Sequence, residues 1–389
     1  MTATGRGADL SVAARVDAPR ETYDFETATG VCSPGEFRDA ELALAEALWE
    51  LQTGRLLVVE ANYGVPGVLL ADASRRVAMT ESSARAARLC EANAERNGVG
   101  DATAVATVAD PRELTASGAA EHAAGFDAAA YAPKPYTPLA VAKERLVAAL
   151  EQLRPGGRLF VAARERTGLR RFPGTLASVA ESVETIAEYG DCTVVGATRP
   201  TSFDAPSFVE PRAVSATVDG VSLSLVSVPG VFAAAEVDRG TRLLLRAADV
   251  DVADRVLDLC CGYGAMGVWA AKKGASTVTL TDDDRLATRC AECSLAASGV
   301  DAAVVTADGA AGIEGRRFDA VLCNPPTHGG DDVLRDLFDG ARRALADDGT
   351  LWVVHHRDLD LRPHSSAAGF GRATRVAVGE EHVVLAVAP

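Results

Sequence analysis

The chain has 389 residues, 48% of them apolar, and a formal net charge of −15. That length and apolar content exclude a disordered chain and favour two or three domains, each with its own core. The acidity argues against nonspecific adhesion to nucleic acid, so any RNA contact must come from a local arginine patch. Basic charge is almost all arginine, with lysine only at Lys134, Lys143, Lys272 and Lys273, a balance that suggests a high-salt cytoplasm or a GC-rich genome. No apolar run reaches the roughly 18 residues of a membrane helix. Residues 1–20 lack the apolar stretch of a secretory signal and read as a flexible tail, with the cytoplasm as the default location. The eight cysteines form no spaced framework and read as small buried residues in a reducing compartment.

Taken in chain order, the elements repeat. Leu57, Tyr63, Gly64, Gly67 and Val68 recur 200 residues later as Leu257, Tyr263, Gly264, Gly267 and Val268. The strand-like Val77–Glu81 faces Val278–Asp282, and each leads into a helix closing with Gly98-Val99 or Gly299-Val300. Phe126-Asp127-Ala128 returns as Phe318-Asp319-Ala320, and Leu153–Gly157 as Leu345–Gly349, each before an apolar strand (Arg158–Ala163; Thr350–His355). Four correspondences in one order, with strands alternating with helices, predict two copies of one α/β unit. Each is expected to be a Rossmann-like domain with a mainly parallel seven-stranded sheet covered by helices. The first is placed at 21–211 and the second at 212–389, the latter beginning with a hairpin, Ser215–Val228, turned at Asp219-Gly220.

The copies differ where chemistry would occur. In the second, Asp258 ends a short strand, Arg255–Leu259. Gly262, Gly264 and Gly267 then open a helix, Ala265–Lys273, closed by Gly274. Such a turn lets backbone approach a nucleotide-like ligand at a helix N-terminus. It would serve a dinucleotide equally well. Asp282, at the end of the next strand, can accept both ribose hydroxyls, and Asp308, after Ala303–Thr306, can accept from an adenine amine. Asn324-Pro325-Pro326, straight after the strand Phe318–Cys323, discriminates. Proline stiffens the corner, and the Asn side-chain oxygen with the Pro325 carbonyl can accept the two hydrogens of a planar exocyclic amine. A dehydrogenase has no use for that clamp. In the first copy Val58 stands for Asp258, Asn62 for Gly262, and Ala132-Pro133-Lys134 for Asn324-Pro325-Pro326; only Glu81 keeps the ribose-type acid. The first domain is therefore expected to be folded but catalytically silent.

These motifs resemble the tandem-domain ribosomal RNA guanine-N2 methyltransferases of the RsmC/RlmG type, which carry a degenerate N-terminal and an active C-terminal domain. The resemblance spans nearly the whole chain and is most specific at Val228-Pro229-Gly230-Val231-Phe232, Asp238, Gly240-Thr241 and Leu243–Leu245. It implies S-adenosylmethionine as cofactor, contacted by Asp258, Cys260, Gly262, Tyr263, Gly264, Gly267, Asp282, Asp283, Asp308, Gly309 and Asn324, together with Phe232 and Asp238 of the lead-in segment. It implies a catalytic loop of Asn324, Pro325, Pro326, Thr327 and His328, and ribosomal RNA or a small ribosomal particle as partner. Three departures stand out: Thr327 replaces the family's usual aromatic, Asp283 replaces an apolar residue, and the last strand, Glu381–Val387, lacks the basic and aromatic residues often seen near the family's C-terminus.

Other readings compete. Protein glutamine and adenine N6 are also planar amines served by such loops, and a non-enzymatic ribosome-assembly module would need no intact clamp. His328 reads as a packing residue of the loop rather than a base. His355-His356 lacks a third ligand, so no metal is expected. Arg164, Arg166, Arg170 and Arg171 could hold RNA phosphates or simply pair with surface acids. Oligomeric state is open, since a duplicated chain can already serve as a pseudo-dimer.

Overall fold

A computed structural model describes residues 8–116, 125–164 and 171–389. The chain divides into two compact units, Met1–Val209 and Glu210–Pro389. The first holds strands β1 (Asp9–Ala13), β2 (Thr22–Glu26), β3 (Arg55–Val59), β4 (Arg76–Glu81), β5 (Thr103–Thr107), β6 (Phe126–Tyr131), β7 (Leu153–Arg164), β8 (Ser182–Tyr189) and β9 (Cys192–Thr198). Its helices are α1 (Asp39–Leu48), α2 (Val65–Ala71), α3 (Ala84–Arg96), α4 (Glu113–Ala116), α5 (Leu139–Gln152) and α6 (Pro173–Val179). The second unit holds β10 (Arg212–Val218), β11 (Val221–Ser227), β12 (Arg255–Leu259), β13 (Thr277–Asp282), β14 (Ala303–Thr306), β15 (Phe318–Cys323), β16 (Leu345–His356), β17 (Ala373–Val378) and β18 (His382–Val387). Its helices are α7 (Arg239–Ala247), α8 (Ala265–Lys273), α9 (Arg285–Ser298), α10 (Asp331–Ala344) and α11 (Arg362–Ala367).

Each unit contains a seven-stranded sheet, ordered β5-β4-β3-β6-β7-β9-β8 in the first and β14-β13-β12-β15-β16-β18-β17 in the second. The first five strands of each order run parallel, and only β9 and β18 run against them, each pairing antiparallel with both neighbours so that β8 and β17 point the same way as the first five. The sequence explains the central strands. Leu56–Val59 is a continuous apolar run and Val256–Leu259 is apolar but for the buried Asp258, and both are buried on both faces as a covered parallel sheet requires. The order reverses beside β3 and β12, which opens a crevice at the strands' carboxyl ends.

Of the tail expected over residues 1–20, residues 1–7 lie outside the described residues and the structure corrects the part around Asp9–Ala13. Asp9–Ala13 pairs with β2 as an antiparallel ribbon, the counterpart of the β10–β11 hairpin. Leu10 and Val12 pack against the core, which ties this segment down. Both ribbons are fastened to a helix by polar side chains, Asn93 and Asn97 in the first unit and Ser294 and Ser298 in the second. Asn93 of α3 bonds Glu26 N at 2.7 Å and Glu26 O at 2.9 Å. Ser294 of α9 bonds Val226 N at 2.9 Å and Val226 O at 3.2 Å. Asp219 and Gly220 turn the second ribbon, both at positive φ. Among the described residues no helix is long and apolar enough to cross a membrane, and no group of His, Cys, Asp and Glu is placed to hold a metal.

Candidate active site

Between β12 and α8 the backbone passes through left-handed conformations at Cys260, Gly262 and Gly264. This turn is braced from below. Asp258 is 0% exposed, and its Oδ2 accepts the Gly267 N–H at 2.6 Å while Oδ1 has no protein partner. Burial pushes its carboxyl up to about 8. Asp258 therefore sits under the turn and shapes it instead of lining its rim. At the end of β13, Asp282 accepts from Gly262 N at 2.8 Å and from Asp284 N at 3.0 Å. Burial raises it to about 7 against those two donors. Its side chain stands beside the one motif glycine with open space around it. A Cβ on Gly262 would meet nothing within 4 Å, whereas one on Gly264 or Gly267 would meet Leu280 at 3.0 or 2.6 Å.

Tyr263 is 5% exposed, and its hydroxyl donates to Glu236 O at 2.9 Å. Tyr63 makes the matching bond to Glu36 O at 2.9 Å in the first unit. This tyrosine thus ties the turn to the lead-in segment in both copies. Asp283, Asp308 and Gly309 are half-buried along the ends of β13 and β14, and Phe232 is 65% exposed before α7.

The Asn324-Pro325-Pro326 loop is held by a contact that sequence spacing does not reveal. Asp238 caps α7, its carboxylate accepting from Thr241 N at 3.1 Å. The Asn324 Nδ2 then donates to Thr241 Oγ1 at 3.0 Å and, more loosely, to Asp238 Oδ2 at 3.4 Å. With its amide hydrogens committed this way, Asn324 presents Oδ1 as an acceptor. Pro325 is buried, Thr327 half-buried, and Pro326 and His328 exposed. The Pro326 carbonyl accepts from Gly329 N at 2.9 Å, closing the loop.

The first unit has the same scaffold with different chemistry. Glu81 takes the Asn62 N–H at 2.5 Å, as Asp282 takes that of Gly262. Its oxygens are also bound by the buried Lys134 ammonium at 2.7 and 2.9 Å. The Asn62 side chain fills the space above the turn, bonding Cys32 N and O at 3.1 and 2.9 Å. Arg38 and Glu41 stand where Asp238 and Thr241 stand. They pair at 2.9 Å, and Arg38 donates to Ala132 O at 3.1 Å and Pro133 O at 2.6 Å. Glu60 pairs with Arg145 and accepts from Tyr131 at 2.6 Å. Arg145 and Lys134 hold Glu60 below the usual carboxylate range despite its burial. Of the basic cluster after β7, Arg164 pairs with Asp39, Arg171 is exposed, and Arg166 and Arg170 lie outside the described residues.

A family described as the methyltransferase small domain matches residues 22–195 and again 222–386. The chain belongs to the methyltransferase small domain family. Both units carry the family's fold, and the protein is a methyltransferase. Its relatives include the ribosomal RNA small subunit methyltransferase C of Pseudoalteromonas atlantica, 31% identical over 61% of this chain and 70% of that protein. The ribosomal RNA large subunit methyltransferase G of Klebsiella pneumoniae is 31% identical over 47% of this chain and about half (51%) of that one. A solved structure, the 16S rRNA N2 G1207 methyltransferase RsmC of T. thermophilus with AdoMet and guanosine, matches 100% of both chains, with a TM-score of 0.78 and 25% identity.

Proposed function

We propose that the C-terminal unit binds S-adenosylmethionine over the Cys260–Gly264 turn and methylates the exocyclic N2 of a guanine in ribosomal RNA, free or within a small ribosomal particle, in the cytoplasm. The cofactor supplies a methyl group activated by a sulfonium. The chain's residues do the rest. Asp282, oriented by Gly262 N and Asp284 N, retains lone pairs for the ribose hydroxyls. Gly262 leaves room for the cofactor's backbone contacts, and the N-terminus of α8 favours its carboxylate. Asn324 Oδ1 and Pro325 O accept the two hydrogens of the guanine amine and direct its nitrogen lone pair. Because that lone pair is delocalised into the ring, the gain comes from positioning and from stabilising the pyramidalising amine. The proton leaves after transfer, so the chemistry asks no base of His328.

One observation carries this reading: the Asn324 amide is committed through Nδ2 to Thr241 and Asp238. All three residues change together in the first unit, to Ala132, Glu41 and Arg38. The test is mass spectrometry of ribosomal RNA nucleosides from a strain lacking the protein. One N2-methylguanosine should disappear; an unchanged nucleoside profile would refute the assignment.

A further inference from the structure

In the first unit the half of the crevice that would hold a cofactor is occupied by the Asn62 side chain and the Lys134–Glu81 pair. The other half stays open as a cavity of about 230 Å³ at the carboxyl ends of β6 and β7. Its wall includes Pro133 and Lys134, counterparts of Pro325 and Pro326. Arg38 and Arg164, counterparts of Asp238 and His356, also line it. By register this is the acceptor pocket of a silent domain.

Its polarity is inverted. In the second unit the loop offers acceptors, Asn324 Oδ1 and Pro325 O. In the first, Ala132 has no side-chain oxygen to match Asn324 Oδ1, the backbone carbonyls Ala132 O and Pro133 O are consumed by Arg38, and cations line the space at three positions where the second unit has Asp238, Pro326 and His356. The inner two, Arg38 and Lys134, are balanced from behind by Glu41 and Glu81. At the mouth, Arg171 is exposed and Arg164, 52% exposed, pairs with Asp39 and Asp191, and Glu36 and Asp39 also line the wall. Phe37, Phe172 and Leu139 add an apolar wall between mouth and floor. A pocket with an apolar wall, donors at its floor and guanidinium groups at its rim fits a nucleotide: a planar ring with carbonyl acceptors, joined to a phosphate. The enclosure matters for a protein this acidic, because interactions inside a cavity are screened by salt far less than those on an open surface.

We propose that this cavity binds one nucleotide of the RNA substrate, base inward against Phe37 and Leu139 and phosphate at Arg164 and Arg171, as a second grip on the RNA away from the methylation site. The proposal rests on RNA being the substrate. It is tested on the full chain with a fluorescein-labelled dodecanucleotide RNA, by anisotropy over a series of salt concentrations. The double variant Arg164→Ala/Arg171→Ala weakens binding about tenfold and flattens the plot of log affinity against log salt by roughly 0.7 for each phosphate it ceases to neutralise. Ala163→Leu, which fills the cavity without altering charge, weakens binding comparably and leaves the salt slope nearly unchanged. A thermal unfolding curve matching that of the wild type certifies that the first unit of each variant is folded, and S-adenosylmethionine affinity, measured by calorimetry on the same preparations, stays at the wild-type value. The proposal fails if both variants bind RNA as the wild type does. It also fails if the double variant alone weakens binding, since the arginines then act as open surface charge. Anisotropy reads RNA binding and not methyl transfer, so a wrong choice of methylated base leaves this outcome interpretable.

Discussion

A duplicated chain contains its own control for each motif residue. Tyr263, Gly264 and Gly267 recur as Tyr63, Gly64 and Gly67, and both sets are explained by packing. A Cβ on Gly67 would strike Met79 at 2.3 Å, as one on Gly267 would strike Leu280 at 2.6 Å. Gly262, Asp238, Thr241 and Asn324 do not recur, and these gather around the crevice. In the sequence Asn324 is conspicuous through the prolines that follow it, but its partners lie 86 and 83 residues away, beyond the reach of local spacing. The resemblance puts Asp238 beside the cofactor; its carboxylate is placed on Thr241 N and the Asn324 amide. Two outcomes follow for steady-state kinetics. Asn324→Ala lowers kcat by roughly 10²–10³, as removal of a preorganised polar group at the reacting atoms does, with cofactor affinity unchanged by calorimetry. Thr241→Val lowers kcat by roughly fivefold, the worth of one neutral hydrogen bond, with little change in KM for RNA, and Thr241→Ser restores it. If Thr241→Val acts on KM alone, Thr241 does not orient the amide.

At the scale of elements, the strand–glycine–helix stretch is legible because its signals are local. The expected bounds Arg255–Leu259, Ala265–Lys273, Ala303–Thr306 and Phe318–Cys323 coincide with β12, α8, β14 and β15. The strand at Asp9–Ala13 escapes a reading of the sequence because a five-residue alternation in a polar terminus is a weak signal, and its pairing with Thr22–Glu26 is made by tertiary packing. The electrostatic state of the turn is likewise invisible without the fold, because burial sets it. Burial raises Asp282 to about 7 and Asp258 to about 8, both above the unfolded value near 3.8. The folded unit therefore holds more protons than the unfolded chain between these limits. The stability these groups contribute is complete below about pH 4 and is lost as pH rises through 7 to 8. The unliganded protein should melt at progressively lower temperature from about pH 4 to about pH 8 in differential scanning fluorimetry, the window those shifts define. Asp282→Asn should flatten that decline while weakening S-adenosylmethionine binding. A decline that survives both Asp282→Asn and Asp258→Asn would have another origin.

At the scale of the whole molecule, duplication explains why two units keep one fold although Gly262, Asp238, Thr241 and Asn324 are not repeated in the first. With methyl transfer assigned by the proposal to the second unit, the first is free to fill its own crevice, and it does so with charge: Lys134 with Glu81, Arg38 with Glu41 and Arg145 with Glu60, all closely packed ion pairs out of solvent. Such pairs are weak evidence of stability, because desolvation offsets their attraction, but breaking one strands a buried charge at a cost of roughly 3–5 kcal/mol. Glu81 is visible in the sequence as a ribose-type acid, yet whether it can still meet a ligand depends on Lys134, which local spacing marks only as a departure from Asn-Pro-Pro. If this network occupies the cofactor's place, calorimetry should find one S-adenosylmethionine per chain, and Glu81→Gln should leave that stoichiometry and affinity untouched. Lys134→Met should lower the denaturation midpoint of the full chain, since Glu81 loses its counter-charge, while S-adenosylmethionine affinity stays near wild type. The double variant Lys134→Met/Glu81→Leu, which removes both charges, should recover most of the lost stability. A stoichiometry of two would mean that the first crevice opens to the cofactor, and the ion pairs would then be a gate in place of a filling.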